Sequence, residues 1–223
     1  VTVHTRALAS LAALLLLASS AIADEIWLVD QLVADRRPGL EIIGTPKTTS
    51  VDGRHAVVFD GKQDGLLVNA NPVAGSPTLT IELLVYPASN GNKEQRFFHL
   101  QDVAGRRALL ETRTDDRGNW WLDGFMRTSS DPNDKGLPLI DPKLTHPVEH
   151  WYWVGLRYDG RQLATFVDGV KQSEGTGNFG AIEAGKISLG VRQNLVYWFK
   201  GAIAEVRFHS RALTDEELQR ATP

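Results

Sequence analysis

Cysteine is absent from all 223 residues, which excludes a disulfide framework, thiolate metal ligation and a lipid anchor carried on Cys. A basic excess is missing as well: 24 Lys and Arg stand against 27 Asp and Glu, for a formal net charge of −3. That balance gives no reason to expect nucleic acid or an anionic membrane surface as partner, and a basic groove is not expected. Long apolar runs are confined to the start of the chain. There Ala7 to Ala18 supplies about a dozen apolar residues, short of the roughly 20 that cross a bilayer. What remains is an ordinary globular composition, 42% hydrophobic and 8% aromatic with 20 Gly and 10 Pro, sufficient for one β domain with a sizeable core.

The first 23 residues read as a targeting segment. His4 and Arg6 form a short polar start, the Ala/Leu stretch follows, and Ala21-Ile22-Ala23 has the small-x-small form of a cleavage site. The expected division is a signal peptide over 1–23 and a single domain over 24–223. The mature product would then be a soluble secreted or periplasmic bacterial protein with no membrane span after cleavage.

Downstream, short β-forming runs alternate with Gly, Pro and Asp turns. Strands are expected over Ile26 to Val33, Leu40 to Ile43, His55 to Phe59, Gly65 to Val68 and Leu79 to Tyr86, the last stopped by Pro87. Arg96 to Leu100, Ala108 to Arg113 and Asn119 to Arg127 continue the pattern, with Asp115 to Gly118 as a hairpin turn. Turns every 8 to 15 residues point to an all-β sandwich or jelly roll. Thr128 to Glu149 breaks the rhythm and reads as a long loop. Helix is expected only at the end, where Thr214 and Glu217 have capping-box spacing.

Trp151 to Gly160, Phe166 to Gly169, Ile187 to Gly190 and Gly201 to Leu213 follow one another as strand-and-turn blocks. Together with Ala56 to Gly61, Asp64 to Val68 and Thr80 to Pro87, their order and spacing resemble the laminin-G-like domain of the concanavalin A-like lectin and glucanase superfamily. The resemblance covers most of the chain. It implies an all-β, two-sheet antiparallel jelly-roll sandwich, here with a short C-terminal helix, and frequently a glycan ligand or an extracellular protein partner. The fold alone does not decide among lectins, adhesion modules and enzymes.

Cofactor identity is left unknown, and calcium is disfavoured. Family members often carry Gly-x-Ile-Asp-Glu on the closing strand, where this chain has Ala204. Pentraxins on this fold place acidic ligands in the loop that is Val191 to Asn194 here. Calcium needs six to eight oxygens, and Arg192 would repel it. Asp102 could still ligate, but a turn role accounts for it better. His146 and His150 have helical metal-site spacing, yet Pro147 and the following strand remove the helix. No Glu-x-Asp-x-x-Glu string is present to set two carboxyls across a glycosidic bond, and the lyase strand motifs of the superfamily are missing. Gly175 to Gly180 matches a dinucleotide glycine pattern but lacks a following helix. No catalytic or metal-binding residue is assigned.

Aromatic residues beside polar ones suit sugar rings, whose C–H faces stack on Trp and Tyr while hydroxyls meet amides and guanidinium groups. Alternation puts Tyr152, Val154, Leu156 and Tyr158 on a core face and Trp153, Gly155 and Arg157 on the other. Trp153 is therefore a candidate platform. Trp120 and Trp121 must face opposite ways, leaving one of them available with Asn119, Asp123 and Arg127. Tyr197 and Trp198 are split similarly, with Gln193 nearby. The expected site is thus drawn from Asn119, Trp120, Trp121, Trp153, Arg157, Gln193, Tyr197 and Trp198, serving a noncatalytic carbohydrate-binding or adhesion-type module. A glycoside hydrolase or polysaccharide lyase with unfamiliar catalytic residues, and a protein-binding module, stay open as alternatives.

Overall fold

The computed structural model describes residues 25–129, 131 and 133–221. The expected signal peptide lies outside the described residues. Two 8-stranded antiparallel sheets face each other across one core. The first sheet takes its strands from both ends and the middle of the chain: β1 (Glu25–Leu28), β3 (Lys47–Val51), β4 (Arg54–Asp60), β6 (Leu79–Pro87), β12 (Tyr152–Tyr158), β13 (Gln162–Val167), β14 (Val170–Thr176) and β16 (Lys200–His209). The second contains β2 (Leu40–Ile43), β5 (Gly65–Val68), β7 (Glu94–Asp102), β8 (Arg107–Thr114), β9 (Asn119–Arg127), β10 (Leu137–Ile140), β11 (His146–Pro147) and β15 (Gly185–Leu189).

The first sheet runs β14-β13-β12-β6-β16-β4-β3, with β1 also on β16; the second runs β10-β9-β8-β7-β15-β5-β2, with β11 also on β9. Chain neighbours β5 and β6 therefore lie in different sheets, as expected of a jelly-roll sandwich. Period-2 alternation fills the space between them. Ile81, Leu83, Val154, Leu156 and Phe208 point in from the first sheet, and Phe98, Leu100, Leu110, Trp120 and Leu189 from the second. Each such side chain contributes roughly 1.5–3 kcal/mol of burial. Gly124, inward on β9, lets the sheets approach, because a Cβ there would collide with Thr165 Cγ2 on β13.

Several expectations require correction. The strand foreseen over Ile26 to Val33 is β1 followed by a helix, α1 (Val29–Ala34), which buries Val29 and Leu32 one turn apart. The long loop of 128–149 contains β10, whose Leu139 is buried and whose Pro138 sits on an edge strand that can lack a donor. The helix expected at the end of the chain is not formed among the described residues, and a single turn stands in its place, with Glu217 N donating to Thr214 O at 3.2 Å. Thr214 N donates to Glu217 Oε2 at 2.9 Å, which forms one half of the capping box. The following residues instead give their amides to the sheet below: Gln219 N donates to Glu82 Oε1 at 2.7 Å and Ala221 N to Asp168 Oδ1 at 3.0 Å.

Candidate functional site

The two sheets treat their outer faces differently. On the first, Leu84, Trp151, Trp153, Ala202 and Ala204 form a second buried cluster, and Leu213 and Leu218 of the chain's end pack on Ala164 and Phe166. Trp153 does face outward as alternation requires, but it is only 7% exposed and the Arg207 guanidinium lies 4.8 Å from its ring. It cannot serve as an open platform. Arg157 is committed as well, donating from Nη1 to Leu213 O and to Asp215 Oδ1, each at 2.7 Å. These two expected site residues hold the chain's end against the sheet.

On the second sheet the outward positions of β7, β8 and β9 carry Arg96, His99, Arg107, Glu111, Arg113, Trp121, Asp123, Phe125 and Arg127. The register places Glu111 opposite Asp123, Arg113 opposite Trp121, and Arg107 opposite Arg127. Of the adjacent tryptophans, Trp120 is wholly buried against His146 and Tyr152, so Trp121 is the outward one and is half-buried. The loop after β15 brings Arg192, Gln193 and Tyr197 to the same face. Arg96 stacks on the Tyr197 ring at 3.9 Å, and Arg96 N donates to Tyr197 O at 2.8 Å. Leu195 and Tyr197 both hold left-handed backbone, with φ of 59° and 60°. Such strain, about 1–3 kcal/mol at each non-glycine position, is typical of segments that present a site.

Gln193 is anchored by three bonds. Its amide N donates to His99 Nδ1 at 3.2 Å, and its side chain donates to His99 O and Lys186 O at 3.2 and 2.7 Å. Because Nδ1 accepts, the proton of neutral His99 sits on Nε2. Burial holds this imidazole down to about 3, and Arg192, Arg107 and Arg96 push it the same way.

The charges divide into two groups. Arg96 and Arg113 are neutralised: Arg96 Nε lies 2.7 Å from Glu111 Oε1, Arg113 donates to Asp123 Oδ2 at 2.9 and 2.7 Å, and Glu94 reaches both arginines. Burial pushes the Glu111 carboxyl up to about 7, with Asp123 and Glu94 adding to the rise and Arg96 and Arg113 opposing it. Arg107, Arg127 and Arg192, by contrast, have no carboxylate within ion-pair distance among the described residues. Buried polar atoms without a hydrogen bond gather on this face: Arg96 Nη1, His99 Nε2, Arg107 Nε, Trp121 Nε1 and Arg127 Nε. A basic surface thus exists despite the net negative chain, which corrects the expectation drawn from overall charge.

Three depressions adjoin along the face. One of about 190 Å³ lies among Arg96, Arg107, Glu111, Asp123, Phe125 and Arg192. Through Arg192 it meets one of about 390 Å³ at His99, Gln101 and Gln193. Gln101 and Gln193 in turn border one of about 540 Å³ reaching Asn69 and Lys186.

The remaining expected residues fall elsewhere. Asn119 closes the hairpin through Asp115, donating from Nδ2 to Oδ2 at 3.1 Å, and Trp198 is half-buried outside these three depressions. Arg96, His99, Arg107, Glu111 and Arg113 were missed by sequence reasoning. Their signal was present as alternating polar positions through two runs read only as strands. Glu111 and Asp123 are 3% and 6% exposed and border the smallest of the three depressions beside Arg96, Arg107 and Arg113. Among the described residues no three of His, Asp and Glu gather as a metal site. The Asp102 carboxylate accepts from the amides of Ala104, Arg106 and Glu183 and from Arg106 Nε, a turn role.

Residues 60–219 match the laminin-G model described as the concanavalin A-like lectin/glucanases superfamily. No curated protein gives a significant sequence match. Among solved structures, domain 4 of AbnA, a GH43 extracellular arabinanase from Geobacillus stearothermophilus in complex with arabinotriose, superposes with a TM-score of 0.51 at 18% identity. The match covers 78% of this chain and 79% of that one. The K499G mutant of NanB sialidase from Streptococcus pneumoniae gives 0.52 at 15% identity, covering 78% of this chain and 27% of the sialidase. The chain therefore spans about a quarter of that enzyme's length. At these identities the likeness shows the fold alone.

Proposed function

The chain belongs to the concanavalin A-like lectin/glucanases superfamily, and from that footing we propose that it is a noncatalytic carbohydrate-binding module acting through the outer face of its second sheet. The observation that carries this reading is the set of buried, unpartnered donors on Arg96, His99, Arg107, Trp121 and Arg127 beside adjoining depressions. Buried donors cost about 1–3 kcal/mol each when left unmet, and a polyhydroxylated ligand supplies the missing acceptors. Trp121, Phe125 and Tyr197 offer rings for its C–H faces. The carboxyls of this face, Glu94, Glu111 and Asp123, lie within ion-pair distance of Arg96 and Arg113.

The reading includes an exported location, supported by the Ala/Leu leader. Among the described residues no helix is long and apolar enough to cross a membrane. Affinity electrophoresis through gels containing single polysaccharides tests the proposal. Retardation by at least one polymer, reduced tenfold or more in Trp121→Ala with unchanged circular dichroism, is the expected result. Retardation unaffected by Trp121→Ala would move the site elsewhere, and release of reducing or unsaturated ends would overturn the noncatalytic reading.

A further inference from the structure

We propose that the ligand of this face is an anionic sugar chain whose carboxylate or sulfate groups are held by Arg107, Arg127 and Arg192. The inference rests on the carbohydrate-binding reading and narrows it to a chemical class.

The two arginine groups differ in what surrounds them. Where β7, β8 and β9 bring Arg96 and Arg113 together, Glu94, Glu111 and Asp123 are there to neutralise them. A few residues further along the same strands the supply of carboxylates stops. Arg107 and Arg127 stand directly opposite each other on β8 and β9, a like-charge pairing that destabilises a sheet. Arg192 reaches Arg107 from the loop and lines the same depression, whose carboxylates, Glu111 and Asp123, are those paired with Arg96 and Arg113.

Their internal contacts are few and uncharged. Arg107 Nη1 donates to Gly105 O at 3.4 Å, Arg127 Nη2 donates to Asp131 O at 2.9 Å, and the Nε of each is buried without a partner. Burial and the charges of Arg127, Arg192 and Arg96 all act to lower the Arg107 pKa, so the cluster repels itself. A neutral sugar would fill hydrogen-bond positions and leave that repulsion intact. An anionic group removes both costs, because a guanidinium fork matches a planar carboxylate or a sulfate edge with two parallel donors. The Phe125 ring centroid lies 5.2 Å from the Arg107 guanidinium carbon. The adjoining depressions at His99, Gln101 and Gln193 leave room for further residues of the same chain.

Matched polymers provide the test. Binding of the whole protein to polygalacturonate, its methyl ester, dextran sulfate and dextran is measured at 50 and 300 mM NaCl, alongside Arg107→Gln and Arg192→Ala, with thermal midpoints recorded for each variant. The proposal expects at least one charged polymer to bind tenfold or more tightly than its uncharged counterpart. It also expects that affinity to fall about tenfold across the salt range, and to fall at least tenfold in each variant while midpoints stay within a few degrees. Preference for polygalacturonate identifies a carboxylate and preference for dextran sulfate a sulfate. Equal binding within both pairs, or variants that bind like wild type, would overturn the anionic assignment and leave carbohydrate binding standing. Failure of all four polymers to bind, with another polysaccharide still retarding the protein, would overturn this inference alone; failure of every polysaccharide in the gel series would overturn the carbohydrate reading with it.

Discussion

Both outer faces of the sandwich follow from the same strand alternation, yet one is closed and the other open. Over the first sheet, the chain's end crosses β6, β12 and β13 and meets their outward groups: Thr80 Oγ1 accepts from Leu213 N at 2.9 Å, Glu82 from Gln219, and Arg157 holds Leu213 and Asp215. Even large outward aromatics such as Trp153 are thereby internal. Over β7, β8 and β9 only the loop of 191–197 reaches the face among the described residues, and donors remain unmet. An outward position is consequently a poor indicator of function until it is known whether the chain itself returns to cover it.

The largest expected effect lies on the closed face. Trp153→Ala empties a buried cluster and should lower stability by about 3–5 kcal/mol in urea unfolding, leaving the affinity of the refolded protein for its glycan unchanged. A loss below about 1 kcal/mol would mean that this face is not closed in solution.

Effects of comparable size, on the order of 3–5 kcal/mol each, separate two buried groups of the open face by pH. Glu111 titrates near 7 in the fold against an ordinary value of 4.5, so the native state holds the extra proton and stability falls as pH rises from 4.5 to 7. His99 is the reverse. Its folded value near 3 lies below the ordinary 6.5, the unfolded chain binds the proton, and stability falls as pH drops from 6.5 toward 3. The two slopes oppose each other between 4.5 and 6.5. Glu111→Gln should therefore leave stability rising through that window, and His99→Gln should leave it falling, both readable from thermal midpoints in a pH series.

Next comes Arg157→Ala, which should cost about 1 kcal/mol and raise amide exchange over 213–221 without touching the open face. Smallest in stability is Trp121→Ala, expected within about 1 kcal/mol of wild type because its ring is half-exposed, although it should weaken glycan binding at least tenfold.

Strand alternation made much of this visible in the sequence. It required Trp120 and Trp121 to divide between core and surface, placed Val154, Leu156 and Tyr158 inward, and allowed Asn119 to Arg127 to be bounded as observed. What it could not convey was long-range cover. Trp153 is buried by residues about fifty positions away, and Val29 to Ala34 takes helical form because packing onto the core rewards Val29 and Leu32 together. The basic surface was hidden for a related reason. Arg96, Arg107, Arg127 and Arg192 come from three strands and a loop, and a net charge summed over the chain cancels them against acids on other faces. Their convergence depends on the β7-β8-β9 register and on where the loop after β15 lands.

Hydrogen exchange measured with and without whichever of polygalacturonate and dextran sulfate binds the more tightly tests the central claim most directly, since it reports which face the polymer covers. The account predicts slowed exchange over 94–102, 107–114, 119–127 and 191–197, with 151–158 and 202–209 unchanged. Slowing confined to 151–158 and 202–209, or to the loops at the ends of the sandwich, would contradict it.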